Sequence, residues 1–154
     1  MTEVRGLGSM IWALGGQYRD TAEGLSAALV GHRLLGLRVD PGEHNLQITT
    51  DAGSVLLETE GDCCSETWWA DLVGVATALG QEITAVEWVD MPEPTDDRSR
   101  QESDVAYGIR VSTTGGVLDL IFRNSSNGYY GGTCNVCAPV DASGWREITE
   151  DWQA

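Results

Sequence analysis

A chain of 154 residues is long enough for one domain with its own core, and 42% hydrophobic against 21% charged residues excludes wholesale disorder. Nine basic residues, all arginine, face 24 acidic ones; the net charge of −15 opposes direct binding to nucleic acid, and without lysine there is no Schiff base and no lysine-dependent phosphate cradle. No apolar run reaches the roughly 18–20 residues that cross a bilayer, and the start, Met1-Thr2-Glu3-Val4-Arg5, lacks the basic-then-apolar order of a secretion signal, so the expected location is the cytoplasm, with no membrane partner.

The chain reads as a single domain, 1–154, with residues 1–30 as an N-terminal extension. Within that extension Thr21 to Val30 has helical character, Thr21 being a suitable cap and Gly24 a weakness. From His32 the pattern alternates: Leu35, Leu37 and Val39, a turn at Pro41-Gly42, then Leu46 and Ile48. Asp51-Ala52-Gly53 turns the chain into a third strand, Ser54 to Glu60, completing a hairpin.

Ser65 can cap a helix in which Trp68, Trp69, Leu72, Val73, Ala76 and Leu79 recur at helical spacing, with Gly80 at its end. Ile83 to Val89, rich in β-branched and aromatic residues, reads as a strand. Residues 93–104 follow as an exposed acidic loop. Val105, Tyr107, Ile109 and Val111 then alternate, Gly115-Gly116 turns the chain, and Leu118, Leu120 and Phe122 alternate in return, the strongest hairpin signal present. The expected fold class is α+β: an antiparallel sheet of about five to six strands, one main helix packed on it, and a further helix near the N-terminus.

Charge is concentrated in the middle. Residues 51–104 carry 14 acids and two arginines, against five acids and four arginines before them and five acids and three arginines after. A solvated face explains this, as does a surface that docks on a basic partner.

Four cysteines lie as Cys63-Cys64 and as Cys134-Asn135-Val136-Cys137. The Cys-x-x-Cys spacing is a usual half of a zinc site, which Cys63, Cys64 and His32 or His44 would complete. The vicinal pair could also supply a reactive thiol with one of those histidines as base, though the surrounding acids oppose a thiolate, and plain packing of small thiols accounts for all four. A second stretch, Arg123-Asn124-Ser125-Ser126-Asn127-Gly128-Tyr129-Tyr130-Gly131-Gly132, suits a tight loop presenting tyrosine surface. Phosphate-binding, nucleophile-elbow and His-Glu-x-x-His motifs are absent.

Taken together, Gly61-Asp62-Cys63-Cys64-Ser65-Glu66-Thr67-Trp68 and the Arg123–Gly132 stretch resemble a small uncharacterised domain family of tailed phages, over about Leu29 to Gly132. The resemblance implies a phage origin and assigns no activity. If the two motifs meet, Asp62, Cys63, Cys64, Ser65, Asn124, Ser125, Asn127 and Tyr129 share one polar patch, with Arg123 and Tyr130 beside it. The expected function is a non-enzymatic phage accessory protein that binds and modulates a host protein with a basic surface, such as a counter-defence inhibitor. A nucleotide-sequestering binder that uses Arg123 and the Tyr129-Tyr130 face, and a cysteine- or zinc-dependent enzyme, are the alternatives.

Overall fold

The computed structural model describes residues 21–62, 64–128 and 131–154. Two five-stranded antiparallel sheets pack face to face around one core. The first contains β1 (Leu34–Val39), β2 (Asn45–Thr50), β3 (Gly53–Gly61), β8 (Gly132–Cys137) and β9 (Arg146–Glu147), in the order β8-β3-β2-β1-β9. The second contains β4 (Glu66–Val73), β5 (Ile83–Asp90), β6 (Ser103–Thr113), β7 (Val117–Ser126) and β10 (Trp152–Gln153), in the order β10-β4-β7-β6-β5. Among the described residues helix is limited to α1, residues 21–29, and the single turn α2 (Val75–Ala78). No helix among the described residues is long and apolar enough to cross a membrane.

Alternation along the strands builds the core. Leu37 and Val39 of β1, Leu46 and Ile48 of β2, and Val55 and Leu57 of β3 face Trp69, Leu72, Ile109, Val111, Leu118, Leu120 and Phe122 from the second sheet. Leu25 and Leu29 of α1 join the same cluster at 0% and 1% exposure. Each such leucine or phenylalanine contributes about 1.5–3 kcal/mol of burial, so the sandwich is held mainly by its interior.

The α+β expectation, with a main helix on a sheet, is overturned. The segment expected as that helix is strand β4 followed by the single turn α2, and the fold is a β-sandwich with two small helices. The misreading has a local cause. β4 is buried on both faces, so apolar residues run continuously instead of alternating, and a register shift between Trp69 and Asp71 blurs the period further. Trp69 faces the inter-sheet core, where it meets Phe122 edge-on at 5.4 Å between ring centroids. Trp68, its neighbour, stands on the opposite, outer face.

The C-terminal segment ties the sandwich together. β9 pairs with the edge of β1 and β10 with the edge of β4, so one short stretch supplies an outer strand to each sheet. Between them Ile148 is buried and its N–H donates to Leu37 O at 2.9 Å. The Asp151 carboxylate accepts from the N–H groups of Gly74 and Val75, which fixes the start of α2.

Candidate functional site

The two motifs come together at one end of the sandwich. β3 pairs with β8 at Gly61 and Gly132, while β4 pairs with β7 at Glu66–Ser125 and Thr67–Asn124. Asp62 and Ser65, after β3, therefore meet Gly131, before β8, between the sheets. Ser65 joins the two segments: its hydroxyl donates to Gly131 O at 2.9 Å and accepts from the Asp62 N–H at 2.8 Å. The Asp62 N–H also reaches Gly131 O at 3.0 Å. Gly61 is required by this closeness, since a Cβ there would stand 2.4 Å from Ser65 O.

The candidate residues divide by exposure. Asp62, Cys64 and Asn127 are exposed and Ser65 is half-buried, whereas Arg123, Asn124 and Ser125 are buried. Asn124 Nδ2 donates to Thr67 Oγ1 at 2.9 Å, and Ser125 Oγ accepts from the Arg100 N–H at 3.1 Å, so both are bonded within the fold. Cys64 holds a φ of 65°, a left-handed conformation that costs a non-glycine residue about 1–2 kcal/mol. Cys63, Tyr129 and Tyr130 lie outside the described residues. The surface beside this end is acidic: half-buried Glu58 and exposed Glu60 stand two residues apart on β3, and exposed Asp62 follows just past its end. Burial together with the neighbouring Glu60 raises the Glu58 carboxyl above its ordinary range.

Arg123 belongs to a different arrangement, on the outer face of the second sheet. Strand register places it directly beside Trp68, and the guanidinium lies 5.6 Å from the indole centroid. Its side chain is 2% exposed, yet its charge is matched twice: by Asp104 of β6, through Nε and Nη2, and by Asp96 of the β5–β6 connection, through Nη1 at 2.9 Å. Arg98 extends the network to Asp71 at 3.0 Å and back to Asp96. Arg100 covers the rest of Trp68, 4.2 Å from the ring centroid, and reaches Glu43 and Glu66 at 3.4 Å. Burial would raise the Asp96 carboxyl, but hydrogen bonds from the Arg98 N–H and from the Arg123 and Arg98 guanidiniums prevail and hold it down at about 2.

Sequence reasoning singled out Arg123 and missed its partners Trp68, Asp96 and Asp104, together with Arg98 and Arg100, which extend the network through Asp96 and Trp68. A signal was present: Arg98 and Arg100 are the only basic residues between 51 and 104, and they fall inside the most acidic stretch.

The remaining cysteines separate. Cys134 and Cys137 lie three residues apart on a strand, where side chains alternate, so Cys134 enters the core at 0% exposure and Cys137 stands on the outer face. Burial raises both thiols, Cys134 far above the ordinary range, and Glu58 and Glu60 add to the effect at Cys137. His44 Nδ1 lies 2.9 Å from Thr67 O, and because a carbonyl can only accept, that nitrogen carries the proton. Among the described residues no group of three or more His, Cys, Asp or Glu side chains is placed to hold a metal ion.

Residues 27–136 match the domain of unknown function DUF7448, most of the chain, and the chain belongs to that family. The match contains both motifs and every residue of the Arg123 network, and the C-terminal tie of β9 and β10 lies beyond it. An uncharacterised protein of Acanthamoeba polyphaga mimivirus is 33% identical over 87 residues, covering 53% of this chain and 66% of that protein, just under two thirds of its length. No solved structure matches the chain.

Proposed function

We propose that this chain is a non-enzymatic binding module that a virus, in the tailed-phage reading a bacteriophage, uses to engage and modulate a host protein in the cytoplasm of the infected cell. The observation that carries the proposal is the acidic line Glu58, Glu60, Asp62 leading into two connections stitched together by Ser65. Rigid sheets that carry paired loops at one end are a common scaffold for recognition. A partner of basic surface fits three carboxylates in a row on a chain of net charge −15. Tyr129 and Tyr130, on the same connection as exposed Asn127, are of the residue type that dominates interface energies. The viral relative supports the viral setting. A counter-defence inhibitor is the specific form of this role.

The test is capture from a bacterial lysate with immobilised protein, comparing wild type with the double variant Glu60→Gln/Asp62→Asn and with Tyr129→Ala/Tyr130→Ala. A salt-sensitive partner retained by wild type and lost by either variant supports the reading. A partner held equally by all three overturns the assignment of this surface, and an absence of any specific partner overturns the function.

A further inference from the structure

We propose that residues 91–102 form a charge-latched flap on the outer face of the second sheet, whose release uncovers Trp68 without stranding the charge of Arg123. No residue from 92 to 102 contributes to the hydrophobic core. The contacts that hold this stretch down are those of Asp96 with Arg123, Arg98 with Asp71 and Ala70 O, Ser99 with Asp104, and Arg100 with Ser125, Glu43, Glu66 and the Trp68 ring. Met91, at the base of the flap, packs beside Gly108; the contacts beyond it are hydrogen bonds, ion pairs and a cation–π contact, of which salt weakens the charged ones, whereas the sheet beneath is held by apolar burial, which salt spares.

The pairing of Arg123 makes two states accessible. A buried guanidinium that lost its only carboxylate would oppose any opening. Here the carboxylate on the flap, Asp96, is 40% exposed, while Asp104, 6% exposed, sits on strand β6 beside Arg123 and stays when the flap leaves. The closed state spends Asp96 and Asp71 as latches; the open state keeps the Arg123–Asp104 pair. What opening exposes is an indole flanked by a guanidinium, the residue types enriched where partners bind. Trp68 is 1% exposed with the flap closed.

Limited trypsin digestion of the full chain tests this directly, because arginine is the only cleavage residue available. Cutting after Arg98 and Arg100 reports the flap, and cutting after Arg110, inside β6 and paired with Asp119 at 2.8 Å, reports unfolding of the sheet. Asp96→Asn and Asp71→Asn each leave the cleavage sites intact. Each is expected to speed the flap cuts about fivefold, with the Arg110 cut unchanged, and in the wild type a rise from about 0.05 to about 0.5 M salt is expected to do the same. Flap cuts at equal rates in wild type and both variants overturn the latch. So do flap cuts that rise only in step with the Arg110 cut. If a variant unfolds, the salt dependence of the wild type decides between the two outcomes.

Discussion

Gly132 approaches Thr67 so closely that a Cβ on residue 132 would lie 1.9 Å from Thr67 Oγ1, at the point where the first sheet passes the second. The same Cβ would stand 2.9 Å from Glu60 O and from Asn124 Nδ2, so three neighbours would have to give way. Gly132→Ala is expected to destabilise the fold by about 1–3 kcal/mol, the usual cost of forcing a methyl into a packed site. A lower urea midpoint with unchanged slope is the expected result; an unchanged midpoint would mean the two sheets separate easily there.

Removing one member of the Arg123–Asp104 pair leaves the other charged and buried. Arg123→Met alone is expected to cost about 3–5 kcal/mol, and the double variant Arg123→Met/Asp104→Leu clearly less. Chemical denaturation of the single and double variants gives the comparison, and equal losses would show that Asp104 is not the essential partner.

Acid stability follows from Asp96. Its carboxyl is held at about 2 in the folded protein against an ordinary 3.8. A group lowered on folding stabilises above its unfolded value, so this contribution is complete above about pH 4 and disappears as pH falls through about 2. Asp96→Asn is expected to flatten the stability-versus-pH curve between those limits and to leave its shape unchanged at neutral pH. The unfolding midpoint followed across that window provides the check.

Thiol chemistry should order the two cysteines of β8. With Cys134 enclosed in the core and its thiol raised by burial, labelling at pH 8 is expected only after unfolding. Cys137, partly exposed, is expected to label slowly in the native protein. Glu58→Gln/Glu60→Gln should speed it by removing the two carboxylates that oppose its thiolate. Mass spectrometry after timed alkylation distinguishes the sites, and Cys134 labelling at the native rate of Cys137 would contradict the buried assignment.

Individual strands and hairpins were legible, though not their division into two sheets, because alternation reports a surface buried on one side. The β6–β7 hairpin appears in the sequence with its Gly115-Gly116 turn, and the structure pairs Ser112 with Val117 across it. β2 and β3 were legible for the same reason. β4 was not, because a strand covered on both faces loses its period, and Trp68-Trp69 with the adjacent bulge imitates a helical spacing. β9 and β10, two residues each, carry no periodic signal. At the candidate site, the family resemblance linked the two motifs and raised the expectation of a shared patch if they meet. Whether each side chain faces solvent or neighbour depends on register, so neither the burial of Asn124 and Ser125 nor the partners of Arg123 could be read from types alone.

The tie made by β9 and β10 bears on how the chain reaches its native form. Val39 and Arg146, partners in the β1–β9 pairing, are 107 positions apart, so loop-closure entropy places this contact late, after the local hairpins have formed. Until then the outer edges of β1 and β4 lie open as templates for pairing with other chains. Pairing of β9 and β10 thus ends the interval in which a nascent molecule is most prone to self-association.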